Sequence, residues 1–171
     1  KKVIVIDIHS KLALKQLGIS SENVSAISNL AAYIKKLKLK DPLVVSPDQG
    51  GKDRAAEFAS FLKIDFLALK KHRDRKTGKI NIITSKVLVK DRDLILVDDM
   101  ISTGGSIIKA TQFLKKQKCR RIYVACTHGL FVNGAEKKIK QAGVTQIIST
   151  NTIPSNSSKV DVSKILAESF L

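Results

Sequence analysis

The sequence predicts an α/β protein, a doubly wound and mainly parallel sheet with helices on its flanks. Three observations carry that expectation. Short apolar runs alternate with helix-periodic stretches along the chain, the order that right-handed crossovers require. The runs are unbroken rather than alternating, as in Leu94, Ile95, Leu96 and Val97, which suits strands covered on both faces. Twice a run gives way to an Asp, a pair of glycines and the start of a helix. Glycines at such a turn let the backbone approach a ligand closely.

In chain order, residues 3–8 read as a buried strand ending in Asp7-Ile8-His9-Ser10. Residues 17–24, with Gly18 and the cluster Ser20-Ser21-Glu22-Asn23, read as a loop. Residues 26–39 read as a helix, with Ile27, Leu30, Ala31, Ile34 and Leu37 at helical spacing. Asp41-Pro42 ends it, and 43–45 is the next strand. Ser46-Pro47-Asp48-Gln49-Gly50-Gly51-Lys52-Asp53-Arg54 leads from that strand into a helix that runs through Leu62. Residues 64–69 form another strand. Residues 70–79 are basic and turn-rich, with 80–84 and 86–89 as short strands beside them.

The central strand, 94–97, is expected to stop at the adjacent carboxylates Asp98 and Asp99, and 107–116 is a helix. Residues 121–126 form a strand ending in Thr127-His128-Gly129-Leu130-Phe131. Residues 133–141 are a helix with Asn133 as N-cap. A strand at 146–149, a Ser/Asn-rich turn and a helix at 163–169 complete the chain.

At 171 residues and 43% hydrophobic, the chain can bury a proper core. It has no apolar run long enough to span a membrane and no signal-peptide pattern, so the expectation is a cytoplasmic protein without a membrane partner. Cys119 and Cys126 lack metal-ligand spacing and read as buried reduced thiols. The formal charge of +16 fits a nucleic-acid surface, a field that draws in polyphosphate substrates, or a Lys-rich thermophile surface. Aromatics are only 5% and Trp is absent, so stacking platforms are scarce and nucleic acid is not the expected partner. The chain begins within a strand-like run and without Met, as a fragment would.

The chemistry is concentrated in the glycine turns. Gly104 and Gly105 can bring backbone N–H groups close to an anion, the helix start adds a favourable field, and Thr103 and Ser106 add hydroxyls. Asp98 and Asp99 would repel that anion. They are suited to accept hydrogen bonds from sugar hydroxyls or to hold a metal. Phosphate at one end and diol at the other describe a ribose phosphate. The second turn, Asp48 to Gly51, reads as another anion cradle with a metal-binding carboxylate. His9, just past a strand end, suits either a structural place or a metal or phosphate contact. Lys71 and Arg73 lie in the basic segment, which is either a solvated hairpin tip or a lid carrying cations.

Ile95-Leu96-Val97-Asp98-Asp99 followed by Ser102-Thr103-Gly104-Gly105-Ser106 resembles the ribose-5-phosphate-binding signature of the type I phosphoribosyltransferase fold. Asp7-Ile8-His9-Ser10, Ser46-Pro47-Asp48-Gln49-Gly50-Gly51, Lys71-His72-Arg73, Val97-Asp98-Asp99, Thr127-His128-Gly129-Leu130-Phe131 and Thr150-Asn151-Thr152-Ile153-Pro154 together resemble the ribose-phosphate pyrophosphokinase (PRPP synthetase) family. The resemblance implies Mg²⁺-dependent transfer of the diphosphoryl group of ATP to O1 of ribose 5-phosphate. It implies that His9 and Asp48 contact magnesium, and that Asp48, Gln49, Gly50 and Gly51 cradle the transferred group. Lys71 and Arg73 are then the catalytic cations of a flexible loop. Asp98 and Asp99 face the ribose hydroxyls, and Ser102, Thr103, Gly104, Gly105 and Ser106 bind the 5-phosphate.

Two departures stand out. Ser102 and Ser106 replace the outer residues of the Asp-Thr-Gly-Gly/Ala-Thr pattern, so one carboxylate is missing. The N-terminal half that supplies adenine-binding residues is not in this sequence. Residues 1–25 then correspond to the end of that half and 26–171 to the C-terminal domain. The resemblance also implies a homo-oligomer with ATP sites near subunit interfaces. The alternatives are a PRPP-using phosphoribosyltransferase, which the central loop alone allows, and a non-catalytic regulatory subunit of a synthetase assembly.

Overall fold

The structure, a computed structural model, describes residues 2–73, 80–83 and 89–170, with side chains except at 11, 71–73 and 80–83. Strands β1 (Lys2–Ile6) and β2 (Ser20–Val24) flank helix α1 (Lys11–Lys15) and pair in parallel as a small sheet of their own. Then follow α2 (Ile27–Lys36), β3 (Leu43–Ser46), α3 (Lys52–Leu62) and β4 (Phe66–Ala68). An antiparallel pair, β5 (Lys70–Arg73) and β6 (Ile80–Ile83), precedes β7 (Asp93–Ile101) and α4 (Gly105–Lys116). The chain ends with β8 (Arg121–Gly129), α5 (Ala135–Gln141), β9 (Gln146–Thr150), β10 (Ser158–Val160) and α6 (Ser163–Glu168).

Six strands form a wholly parallel sheet in the order β10-β9-β8-β7-β3-β4. The chain runs outward from β3 to β4, then returns to place β7 on the other side of β3 and continues outward. The switch point therefore lies between β3 and β7, where open α/β sheets bind ligands at the strands' carboxyl ends. The unbroken apolar runs are divided by the pleat. Leu94 and Leu96 of β7 join one core with Ile107 and Leu114 of α4 and Ile139 of α5. Ile95 and Val97 join a second core with Leu30 and Ile34 of α2 and Phe58 of α3. Removing a side chain such as the fully buried Leu96 would cost about 2–5 kcal/mol.

The doubly wound architecture matches the sequence expectation, and five local readings need correction. Residues 17–24 are not a loop throughout: β2 forms there because the backbone pairs with β1, which overrides the turn-prone Ser-Ser-Glu-Asn composition. Helix α1 was not foreseen. Strand β7 does not stop at the carboxylates, because β8 is equally long and pairs with it as far as Ile101↔Gly129. Asn133 is not a helix cap: it has φ 53 within a 3₁₀ turn, and α5 starts after Gly134 with no side-chain cap. Strand β10 extends the sheet where a turn was expected. The 86–89 strand lies mostly outside the described residues. Cys119 and Cys126 are free and buried, and among the described residues no helix is long and apolar enough to cross a membrane.

The start of β7 is fixed by charge. Asp93 is fully buried and accepts hydrogen bonds from the Lys40 backbone N–H (2.8 Å), Arg120 Nη1 (3.0 Å), and Arg121 Nε and Nη2 (3.1 and 2.8 Å). Burial works against its charge, but the Arg121 and Lys40 hydrogen bonds and both arginine charges outweigh it and hold the carboxyl below the ordinary 3.8. Asp93→Asn should cost on the order of 2–3 kcal/mol at pH 7, since buried donors lose a charged acceptor while the arginines stay partly solvated. A depressed pKa contributes stability above the unfolded value that is lost as pH falls. Denaturation curves of parent and variant should therefore converge below about pH 3.8.

Candidate active site

The glycine turn after β7 opens a pocket of about 340 Å³ lined by Asp98, Ser102, Thr103, Gly104, Gly105 and Ser106, among others. Its floor is the first turn of α4, whose leading amides have no acceptor within the helix. Only glycine fits at 104. Its φ is +73, and a Cβ there would stand 2.8 Å from Ile139 Cδ1 of α5. Gly105 has no such neighbour and simply starts the helix. The turn is also tied to the end of β8: the Phe131 N–H donates to Ile101 O and the Val132 N–H to Ser102 O, each at 3.1 Å.

Asp98 and Asp99 do not share this pocket. Consecutive residues of a strand point to opposite faces, so Asp98 lies with Leu94 and Leu96 on the α4 side and lines the pocket. Asp99 is buried on the α3 side. Its Oδ2 accepts from His9 Nδ1 at 2.8 Å and forms an ion pair with Arg54 Nη2 at 3.1 Å, and its Oδ1 accepts from the Met100 N–H at 2.8 Å. Since a carboxylate only accepts, the His9 proton on Nδ1 is assigned by this bond.

The environments drive the two carboxyls apart. Burial, reinforced by the neighbouring Asp99 carboxylate, pushes Asp98 up to about 7. Burial acts against Asp99 too, but the His9 hydrogen bond and the Arg54 charge outweigh it and hold this carboxyl below the usual range.

The second turn follows β3, the neighbour of β7. Ser46 Oγ donates to Asp48 O (2.7 Å), and the Gly50 N–H donates to Asp48 Oδ1 (3.1 Å). A Cβ on Gly51 would meet Ser46 Oγ at 2.5 Å, so the chain crosses directly over that hydroxyl. Gln49 is engaged locally, its amide donating to Ala68 O at 3.0 Å. Beyond this turn, a second pocket of about 460 Å³ is lined by Asp7, His9, Asn23, Gly50, Asp53 and Arg54, among others. Asp99 lies behind the first pocket, next in the strand to Asp98, and contacts His9 and Arg54 of the second pocket's wall.

The sequence reading picked out His9, Gly50 and the 102–106 turn but missed Asp7, Arg54 and Thr127 as members of one network. Asp7 Oδ2 accepts from Thr127 Oγ1 (2.6 Å) and from the Ala26 N–H (3.0 Å), while Asp7 Oδ1 lies 4.0 Å from Arg54 Nη1. His128 Nε2 donates to Ile6 O at 2.9 Å, tying β8 to the end of β1. The signal for Arg54 was present, a cation just past paired glycines, but nothing in the sequence says which carboxylate it meets. Lys71 and Arg73 lie in β5, and their side chains fall outside the described residues. Among the described residues no three His, Cys, Asp or Glu side chains gather as a ready metal site. His9 does suit a single metal contact: with Nδ1–H given to Asp99, its Nε2 is left to accept, as in carboxylate-oriented metal histidines.

Residues 67–169 match the model of the phosphoribosyl synthetase-associated domain family. The chain is 34% identical over 167 residues to a ribose-phosphate pyrophosphokinase of Methanopyrus kandleri, covering 97% of this chain and 57% of that protein. The crystal structure of phosphoribosylpyrophosphate synthetase from Mycobacterium smegmatis superposes with a TM-score of 0.84 at 25% identity, over 98% of this chain and 57% of that one. A purine phosphoribosyltransferase from Pyrococcus horikoshii shares the fold, with a TM-score of 0.53 at 22% identity over 75% of this chain and 77% of that one. The chain thus spans little more than half the length of the pyrophosphokinases it matches.

The carboxyl pair makes stability depend on pH in a definite direction. Asp98 keeps its proton in the fold up to about pH 7, whereas the unfolded chain releases it near 3.8. Its contribution is therefore fully present below 3.8 and is lost as pH rises to 7. Asp98→Asn cannot ionise and keeps an acceptor for the Asp99 N–H. Its urea midpoint should match the parent near pH 4 and exceed it increasingly toward pH 8; parallel curves across that range would refute the assignment.

Proposed function

This chain belongs to the phosphoribosyl synthetase-associated domain family, and from that membership we propose that the full-length protein is a ribose-phosphate diphosphokinase. It transfers the β,γ-diphosphoryl group of ATP to O1 of ribose 5-phosphate, giving PRPP and AMP for nucleotide biosynthesis. The observation that carries the reading is the meeting of two glycine turns at the switch point, one with the Asp98 pocket and one beside His9 and Arg54. One turn suits a sugar phosphate and the other the group it receives.

Phosphoryl transfer asks a protein for positioning and charge, not for a covalent nucleophile. The hydroxyls of Ser102, Thr103 and Ser106 and the first-turn amides of α4 hold the 5-phosphate, with Gly104 and Gly105 keeping the backbone close. Asp98, facing that pocket, meets the ribose hydroxyls. Asp99 acts on the other side, orienting His9. Asp48 with Gln49, Gly50 and Gly51 cradles the diphosphoryl group, its charge is met by Lys71 and Arg73, and His9 Nε2 and the Asp48 carboxylate contact the cation that accompanies ATP. Bound Mg²⁺ neutralises phosphate charge and needs few protein ligands. Residues 1–25 belong to the end of an N-terminal half, and 26–171 form the C-terminal domain. The protein works in the cytoplasm as a homo-oligomer with sites near subunit interfaces.

The test is to incubate the full-length protein with ATP, Mg²⁺ and ribose 5-phosphate and follow AMP. AMP that appears only with ribose 5-phosphate supports the reading. No AMP despite ribose 5-phosphate binding overturns it in favour of a phosphoribosyltransferase, scored with PRPP and a base, or a regulatory subunit. Lys71→Ala should lower turnover by about 100-fold or more, with ribose 5-phosphate affinity little changed, because its charge is used in the transition state.

A further inference from the structure

Three segments far apart in sequence meet at one guanidinium. Arg54, in the first turn of α3, places Nη2 3.1 Å from Asp99 Oδ2 of β7 and Nη1 4.0 Å from Asp7 Oδ1 in the loop after β1. Both carboxylates are buried, with side chains 8% and 5% exposed, and Arg54 itself is only 21% exposed. His9, two residues beyond Asp7, donates to the same Asp99 oxygen that Arg54 contacts. Among the described residues that loop has no strand partner in the main sheet, and β1 and β2 pair with one another. Besides the Asp7 and Ile8 N–H groups, which donate to Val24 O and Asn23 Oδ1 of β2, its attachments are polar contacts across to the main domain: Thr127 Oγ1 and the Ala26 N–H on Asp7, and His128 on Ile6 O. Arg54 is the cation that closes this set, joining the Asp7 carboxylate to the Asp99 carboxylate.

We propose that Arg54 is a positioning residue that seats the Asp7–His9 loop on Asp99 and so sets the distance between the sugar-phosphate pocket and the His9 side of the cleft. The inference deepens the diphosphokinase reading and rests on it for its kinetic consequence, though not for its structural one. The span of the site suits arginine. Its wide guanidinium pairs with Asp99 at 3.1 Å while its other terminal nitrogen stands 4.0 Å from Asp7, whereas a lysine ammonium is a single point charge that cannot sit near both. Arg54 does not line the 102–106 pocket, so losing it should leave sugar-phosphate binding alone and disturb the alignment of the two groups that must react.

The test compares the full-length parent with Arg54→Met and Arg54→Lys. Arg54→Met should lower turnover about 100-fold, as a small misplacement of reacting groups does, while calorimetric affinity for ribose 5-phosphate stays within about threefold. Arg54→Lys should recover only a minor part of the loss. Long-range ¹H–¹⁵N spectra of the histidine rings, with His9 assigned through His9→Gln, give a readout that needs no activity. The parent should show His9 protonated at Nδ1, and Arg54→Met should show a mixture of tautomers. An unchanged His9 signal overturns the proposal, as does turnover within a few-fold of the parent or an equal loss of sugar-phosphate affinity. If the parent makes no AMP, the diphosphokinase reading fails and the His9 signal alone decides the place of Arg54. Should Arg54→Met not fold, Thr127→Val, which frees Asp7 on its other side, is expected to alter the His9 signal in the same direction, and an unaltered signal counts against the proposal.

Discussion

A pleated strand sends consecutive side chains to opposite faces, and the cleft of this protein depends on that constraint at the end of β7. Asp98 and Asp99 are neighbours in sequence, yet one faces α4 and the glycine pocket and the other faces α3 and Arg54. The separation lets two carboxyls occupy the same strand end with different charges. Asp99 keeps its charge because His9 and Arg54 meet it, while Asp98, half-buried beside it and, among the described residues, without a comparable cation, holds its proton to about pH 7. Had the strand stopped before the pair, both side chains would have been free to face one ligand. Pairing with β8 through Ile101 removes that freedom.

The same strand carries a third aspartate at its other end, with the opposite purpose. Asp93 is enclosed by Arg120, Arg121 and the Lys40 N–H, all spent on holding the start of β7 against β3 and β8. Its charge is saturated within the fold, and it lies at the amino end of the sheet, away from the switch point. A buried carboxylate is thus not in itself a sign of chemistry. What distinguishes the Asp98–Asp99 end is an open pocket on one side, a histidine on the other, and glycine turns that bring backbone amides to the same edge.

Much of this was legible in the residues. The unbroken apolar runs gave the buried parallel strands, because only a strand covered on both faces needs them, and the paired glycines marked the two turns. The Ser102–Ser106 cradle was readable because its parts are contiguous. Other elements were not readable for definite reasons. Ser20 to Val24 becomes a strand only through pairing with β1, and a partner strand leaves no trace in local composition. Asn133 is a good cap residue, but the loop that leaves β8 is held to Ile101 and Ser102 by its backbone, and Asn133 takes a left-handed conformation there instead.

By itself, then, the sequence determined the fold class, the order of the main strands and helices apart from α1, β2 and β10, and the two glycine turns, since each rests on periodicity or on residues adjacent in the chain. The tertiary structure alone decided which face each carboxylate serves, that Arg54 bridges Asp7 and Asp99, and that His9 is held by Asp99. Those are relations among residues dozens of positions apart. They arise only when parallel pairing sets the register of β7 against its neighbours and brings α3 and the β1 loop to the same sheet edge.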